Sequence, residues 1–134
     1  MLRGVGTDIV DIDRMRKVLD RLGPRFERRV FTEEEIDYCR SRPDAAVHFA
    51  GRFAAKEAVM KALTTGWGRG VGWRDIEVVS SDGPPTARLS GRAGEVARVD
   101  RGGRVHLSIS HSDCHAVAVA VVEDDPGRPG NSSE

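Results

Sequence analysis

Residues 49–63 read FAGRFAAKEAVMKAL, and this run without proline is typical of a long helix. Its apolar side chains recur at helical spacing and predict one stripe that faces the core: Ala46, Phe49, Ala50, Phe53 and Met60. Glu57 falls one turn after Phe53 on the same stripe. Because a buried carboxylate without a partner is costly, the pattern predicts that a metal ion, a cation or a raised pKa accompanies Glu57.

Two lysines stand close to Glu57 in the sequence. Lys56 precedes it and Lys61 follows four residues later, so the three charges form a compact group of the kind that proteins use on phosphates and magnesium. The same spacing also describes an exposed ion pair, which stabilises a solvated helix by only about 0.2–0.5 kcal/mol. The helix alone leaves both interpretations open.

Three motifs, in order along the chain, resemble one known family. They are GVGTDIV at residues 4–10, GRFAAKEAVMKA at residues 51–62 and LSISHS at residues 107–112. Together they resemble the holo-acyl-carrier-protein synthases, which are small phosphopantetheinyl transferases, over residues 2–122. The resemblance implies an enzyme that moves the 4′-phosphopantetheine group of coenzyme A to a serine of an apo acyl carrier protein and releases 3′,5′-ADP.

The resemblance also implies roles for the charged residues of the first two motifs. Asp8 and Glu57 would supply carboxylate oxygens to one magnesium ion, which retains waters and takes few protein carboxylates. Lys56 and Lys61 would neutralise the pyrophosphate of the coenzyme. Glu57 and Lys61 are therefore the predicted catalytic residues. Glu57 is the first candidate for the base that takes the serine proton, although the identity of this base stays open.

Three further residues are assigned to binding of the coenzyme. Arg52 would reach a phosphate, with the 3′-phosphate as first choice, or else form a salt bridge at the rim of the site. Gly68 lies in a glycine-rich loop that suits close backbone approach to adenine or phosphate. His111 is either a hydrogen-bonded structural histidine or, as the resemblance implies, a residue that binds or orients the coenzyme. Asp113 and His115 receive no role.

The segment 14–29 is strongly basic. Its seven basic residues outnumber its two acidic residues, and the basic ones are Arg14, Arg16, Lys17, Arg21, Arg25, Arg28 and Arg29. Such a patch either attracts an acidic partner or is a solvated helix face. The resemblance implies that Arg14 and Arg25 meet the acidic surface of the acyl carrier protein. A nucleic-acid partner is not expected, because the formal net charge is zero and the patch lacks interleaved aromatic residues.

Composition predicts one domain in the 134 residues, and the resemblance implies that residues 1–122 are the transferase domain. Residues 123–134 are polar and rich in helix breakers, and we expect a disordered tail. No apolar stretch is long enough to span a bilayer and residues 1–3 lead directly into a strand, so we expect a cytoplasmic protein without membrane association. Cys39 and Cys114 are too few for a disulfide framework and are predicted to be free thiols.

Strands at both ends of the chain with helices between them predict an α+β fold with a largely antiparallel sheet. The first predicted elements are a strand over 5–12 and a helix that is capped by Asp13 and stopped at Gly23-Pro24. A second helix opens with a capping box of Thr32 and Glu35, and the long helix follows Pro43. The remaining predicted elements are a hairpin of 75–80 with 86–89, a helix over 90–100 and a hairpin of 105–110 with 116–122. The resemblance implies the 4′-phosphopantetheinyl transferase fold and a homotrimer with sites at the subunit interfaces.

Other function classes use some of these features. A non-catalytic module that binds carrier proteins would need the basic segment but not the acidic residues and lysines of the motifs. A magnesium-dependent nucleotide hydrolase would use the same charges with water as the nucleophile. The sequence does not decide whether the carrier protein belongs to fatty-acid or polyketide synthesis, or which site residues come from a neighbouring subunit.

Overall fold

The computed structural model describes residues 1–63, 70–80 and 83–124. Its elements are β1 (Leu2–Asp11), α1 (Ile12–Leu22), α2 (Pro24–Val30), α3 (Glu33–Arg40), α4 (Ala45–Ala62), β2 (Ile76–Val79), β3 (Thr86–Leu89), α5 (Gly91–Ala97), β4 (Arg104–His111) and β5 (His115–Glu123). Short 3-10 turns at Trp73–Asp75 and Val99–Arg101 precede β2 and β4. Within the described residues no helix is long and apolar enough to cross a membrane.

The strands form two antiparallel units. In the larger unit β5 lies between β1 and β4, with Ala118 of β5 opposite both Asp8 and Ile109. In the smaller unit β2 pairs with β3. The predicted α+β class with antiparallel pairing is confirmed, and helix α4 packs across the inner face of the larger sheet as the centre of the core.

Small residues allow α4 to lie close against the sheet. On the inner face of β5 three of the four buried side chains are alanines, at Ala116, Ala118 and Ala120, and the fourth is Val122. A Cβ added to Gly4 would lie 1.9 Å from the carbonyl oxygen of Ala62, and one added to Gly6 would lie 2.0 Å from that of Ala58. No side chain fits at either glycine, so the backbone of β1 runs directly against α4. This close approach sets Asp8 beside the last turns of the helix.

The helix boundaries follow local hydrogen bonds. The predicted capping box is confirmed, because the amide of Thr32 donates to Glu35 over 2.9 Å and the amide of Glu35 donates to the Thr32 hydroxyl over 3.2 Å. The cap of α1 is Asp11 and not Asp13, since the Asp11 carboxylate accepts the amide of Arg14 over 2.9 Å. The strand thus ends one residue earlier than predicted.

Two helices differ from the sequence prediction. Helix α2 was not predicted, because Pro24 was interpreted only as a stop signal, whereas proline also suits the first position of a new helix. Helix α5 ends at Ala97, three residues before the predicted end. The reason is Arg98, whose left-handed φ of 58° terminates the helix and leads into the 3-10 turn.

Candidate active site on helix α4

From Phe49 onward helix α4 is buried on nearly all of its surface, and only a narrow stripe is open. The stripe consists of Phe53 and Glu57, which are partly buried, and Lys61, which is exposed. Phe53 packs against the core as predicted, whereas Glu57 is only partly buried. Because the sheet, α1, α3 and β2 all pack around α4, the core covers every side of the helix except this one.

The open stripe meets β1 at Asp8. The ammonium of Lys61 lies 3.1 Å from Asp8 Oδ1 and also donates to the carbonyl oxygen of Thr7 over 3.1 Å. The Lys61 side chain is 53% exposed and the Asp8 side chain 18% exposed. Burial raises the pKa of Glu57, the negative charge of Asp8 raises it further, and Lys61 opposes both effects. The structure thus brings Asp8, Glu57 and Lys61 together at one opening.

Two carboxylates at this opening fit a magnesium ion. Among the residues that the structure describes, no three His, Cys, Asp or Glu side chains form a group that could hold a metal. Magnesium does not require such a group, because one or two carboxylates suffice when substrate phosphates and waters supply the other oxygens. The raised pKa of Glu57 next to Asp8 also indicates a place where a further cation would be favourable.

Lys56 lies in the core and not at this opening. Its ammonium is fully buried and 2.8 Å from Glu35 Oε1, and it donates to the carbonyl oxygens of Trp73, over 3.0 Å, and Ile76. Burial lowers the pKa of Lys56, and Glu35 opposes that effect. These three acceptors use all three donors of an ammonium group. The ammonium of Lys56 thus faces acceptors in the core, whereas the sequence predicts a contact with the coenzyme.

A second cationic group surrounds the ring of Tyr38, and we call it the Tyr38 cluster: Tyr38, Arg42, His48, Arg52 and His111. The guanidinium carbons of Arg52 and Arg42 lie 4.0 Å and 4.4 Å from the centroid of the Tyr38 ring. The His48 ring meets the same tyrosine edge-on at 5.8 Å. Burial lowers the pKa of His48, and the charges of Arg52, Arg42 and His111 lower it further, so these three groups lie within electrostatic reach of His48.

Arg52 keeps one donor unused in this cluster. Its Nη2 donates to the Ser80 hydroxyl over 2.8 Å, while its buried Nε has no partner within the described part of the chain. Arg52 and His111 were predicted from the motifs, whereas Arg42 and His48 were missed. The signal that could have found His48 is its position one helical turn before Arg52. Arg42 precedes Pro43 in a turn and gives no such periodic signal.

The basic segment forms a groove at the junction of α1 and α2. The groove has a volume of about 370 Å³, and its lining residues are Arg21, Leu22, Arg25, Phe26 and Arg29. Arg14 and Arg25 are both exposed, as a docking role requires. Glu27 does not offset their charge locally, because it is buried and paired with Arg40.

The remaining predicted positions are less informative. Gly68 lies outside the described residues. His115 approaches Asp11 at 3.9 Å, and its amide donates to the Ser112 hydroxyl over 3.2 Å in the turn that joins β4 to β5. Asp113 belongs to the same turn. Both cysteines are free thiols as predicted, Cys39 buried and Cys114 exposed.

Comparison with known proteins connects this geometry to one family. The family model of the 4′-phosphopantetheinyl transferase superfamily, ACPS, matches residues 4–122. A holo-[acyl-carrier-protein] synthase of Gloeobacter violaceus is 52% identical over 123 residues, which cover 90% of this chain and 91% of that protein. One of Koribacter versatilis is 46% identical over 125 residues, which cover 92% of this chain and all of that protein.

A solved structure agrees with the sequence relatives. The crystal structure of a holo-(acyl-carrier-protein) synthase from Bacillus anthracis in complex with CoA (3′,5′-ADP) superposes with a TM-score of 0.77 at 39% identity, covering 93% of this chain and 99% of that one. The resemblance predicted from the three motifs is confirmed. The chain belongs to the 4′-phosphopantetheinyl transferase superfamily.

Proposed function

We propose that this enzyme transfers 4′-phosphopantetheine from coenzyme A to a serine of an apo acyl carrier protein, releases 3′,5′-ADP and depends on magnesium. The observation that carries the proposal is the meeting of Asp8, Glu57 and Lys61 at the open stripe of α4, in a chain of this family. The names of the relatives and the coenzyme complex of the Bacillus anthracis protein support the choice of both substrates.

The chemistry is a phosphoryl-type transfer. The serine oxygen forms a bond to the phosphorus nearer the pantetheine, the bond from that phosphorus to the bridging oxygen breaks, and 3′,5′-ADP leaves with the electron pair. A magnesium ion held by Asp8 and Glu57 would supply positive charge for the pyrophosphate oxygens. Glu57 is the first candidate to accept the serine proton, because its raised pKa makes it a better base than an ordinary carboxylate. Lys61 offsets negative charge that gathers on the leaving phosphate.

The Tyr38 cluster is the proposed site of the 3′-phosphate of coenzyme A. Arg42, Arg52 and, when protonated, His48 and His111 offer positive charge around one aromatic ring. The unpaired and buried Nε of Arg52 provides a donor for an oxygen of the ligand. We therefore expect a clear preference for coenzyme A over dephospho-coenzyme A.

The carrier protein is proposed to dock on the groove between α1 and α2. Arg25 presents exposed positive charge there, Arg14 presents it at the start of α1, and Leu22 and Phe26 present apolar surface between the arginines of the groove. An acidic protein surface with a few apolar residues is complementary to such a groove. In the cytoplasm, where we place the enzyme, this groove would recruit the carrier protein before the transfer.

A homotrimer with sites at the subunit interfaces remains part of the proposal. The outer face of the β1–β5–β4 sheet supports it, because Val5, Ile9 and Val119 are 58%, 62% and 40% exposed. Neighbouring apolar side chains on one sheet face are typical of a surface that another subunit covers. Light scattering that finds an active monomer at the assay concentration would contradict the trimer.

The direct test is mass spectrometry of an apo carrier protein incubated with the enzyme, coenzyme A and magnesium. We expect the carrier to gain the mass of one 4′-phosphopantetheine group on its serine and to do so only when magnesium is present. Consumption of coenzyme A without a carrier protein would instead indicate a hydrolase. A carrier that stays unmodified under all conditions would overturn the proposed transfer.

A further inference from the structure

A buried ion pair joins α4 to the elements behind it. Lys56 and Glu35 are both fully buried, with 2.8 Å between Lys56 Nζ and Glu35 Oε1. The established family and the proposed mechanism assign no function to Glu35. A buried pair of this kind is weak evidence for stability, since well-packed apolar residues often replace such a pair at no cost. Its presence beside the site therefore calls for another explanation.

The carboxylate of Glu35 is a junction of three elements. Oε1 accepts the amide of Thr32 at the start of α3 over 2.9 Å as well as the ammonium of Lys56. Oε2 accepts the amide of Val78 in β2 over 2.7 Å. The two carboxylate oxygens of Glu35 thus accept groups from the start of α3, from α4 and from β2, and they hold these three elements together. An apolar residue could fill this volume but could not make these bonds.

Lys56 extends the junction to the wall of the active site. Its ammonium donates to the carbonyl oxygens of Trp73 and Ile76, which lie on either side of the turn before β2. The Trp73 ring stacks on Phe53 with 5.1 Å between centroids and 24° between planes. Phe53 is one turn before Glu57 on the open stripe. The Lys56 ammonium therefore holds the backbone of Trp73, whose ring stacks on Phe53 of the open stripe.

We propose that Lys56, held in place by Glu35, is a positioning residue of the transfer reaction, which fixes the Trp73–Phe53 wall beside Glu57 without contacting the coenzyme. This role rests on the proposed function. It predicts that Glu35 and Lys56 act as one unit, because neither side chain can bridge α3, β2 and Trp73 alone. A direct phosphate ligand would instead act independently of Glu35.

The test is a double-mutant cycle with Glu35→Gln, Lys56→Met and the double variant, measured by steady-state kinetics for both substrates. We expect each of the three variants to lower kcat by about tenfold or more, since small misplacements of a site are costly. The double variant should be no worse than the single ones. The KM for coenzyme A should change by less than about threefold, because no phosphate contact is lost.

Glu34→Gln is the matched control. Glu34 is exposed in the first turn of α3, next to Glu35, so this variant removes a carboxylate charge from the same helix without removing a bond to Lys56. This variant should keep kcat within about threefold of the parent, as expected for a residue outside the positioning unit. Glu35→Gln retains the volume and one acceptor oxygen of the side chain, and its kcat alone decides the question if the Lys56 variants do not fold.

Two results would overturn the positioning role while the proposed function stands. In one, Lys56→Met raises the KM for coenzyme A about tenfold and Glu35→Gln matches the parent, which identifies a direct ligand. In the other, all variants lose stability in chemical denaturation but keep the parent kcat, which identifies a purely structural pair. A parent enzyme that transfers nothing would overturn the proposed function itself and this role with it.

Discussion

Two lysine–carboxylate pairs of helix α4 have similar distances and opposite surroundings. Lys61 reaches Asp8 at 3.1 Å on the open stripe, and Lys56 reaches Glu35 at 2.8 Å in the core. An exposed pair contributes little to stability and can exchange partners, whereas a buried pair cannot lose one partner without leaving an uncompensated charge. Lys61 can therefore exchange Asp8 for the phosphate of a substrate, whereas Lys56 and Glu35 stay paired.

The comparison shows how neighbouring charges obtain different tasks. Successive helix residues point about 100° apart, so Lys56 and Glu57 face different surroundings although they are adjacent. In our proposal Lys56 holds secondary-structure elements together, and the adjacent Glu57 takes part in the reaction. Any interpretation of a signature motif that assigns all its charges to one site overlooks this geometry.

The largest expected effect is on the open stripe. Replacement of Glu57 by Gln should lower kcat/KM for transfer about 100-fold or more, because the amide keeps the volume but loses the charge that the proposed metal site and base require. The melting temperature should not fall, since the raised pKa shows that the charged form of Glu57 is disfavoured in the folded protein. Enzyme assays and calorimetry on the same sample measure both effects.

Glu95→Gln serves as the control for Glu57, because it removes an exposed carboxylate that pairs with the neighbouring Arg92 on α5. Its activity should equal that of the parent. Full activity of the Glu57 variant, or a parent enzyme that is insensitive to EDTA, would show that the open stripe is not the site of metal-dependent chemistry.

The next effect concerns the close contact that brings Asp8 to the stripe. Gly6→Ala should destabilise the protein by about 1–3 kcal/mol or more, because the added Cβ would lie 2.0 Å from a backbone oxygen of α4 that cannot move aside. Urea denaturation measures this loss. Gly94→Ala is the matched control, since its Cβ would meet the Leu89 oxygen at an ordinary 3.4 Å. Equal stability of the two variants would show that β1 does not depend on this contact.

A smaller effect is expected on the groove at the junction of α1 and α2. Charge reversal of Arg14 or Arg25 should raise the KM for the carrier protein about fivefold and leave that for coenzyme A nearly unchanged. The increase should shrink at high salt, which screens exposed charges beyond about 10 Å at 0.1 M. Arg101→Glu makes the same charge change in the 3-10 turn before β4 and should affect neither constant. Equal increases of KM for both substrates would show that the carrier protein does not dock on the groove.

The smallest expected effect concerns the two cysteine thiols, because Cys39 is buried and Cys114 is exposed. Burial raises the pKa of Cys39 to about 12, so the neutral thiol persists at pH 8 and iodoacetamide should modify only Cys114 in the native protein. Mass spectrometry should find one adduct in buffer and two in denaturant. Because the raised pKa favours the folded state only while the thiol stays protonated, this contribution to stability is lost as the pH rises from about 9 towards 12. Two adducts in buffer would show that the core around Cys39 opens readily.

Much of the fold was predictable because its signals are local. The capping box of Thr32 and Glu35 is a contact between residues three apart, and the hairpins and the long helix have periodicities that a short window contains. Helix α2 was missed because Pro24 is compatible both with the end of one helix and the start of the next. The role of Gly68 and the disorder of residues 125–134 stay predictions, since both lie outside the described structure. The predicted start of the tail at residue 123 is wrong, because Glu123 belongs to β5 and Asp124 pairs with Arg3 and Arg98.

The sequence by itself determined the family and the candidate site residues, because three motifs predict Asp8, Glu57, Lys61, Arg52 and His111 without any coordinates. Only the tertiary structure decided which charges of α4 are open. Burial depends on what packs around a helix, and the partners of Lys56 and Lys61 come from α3 and from β1, the latter 53 residues away. A helical period shows which residues share a face, but the rest of the chain decides which face becomes the core.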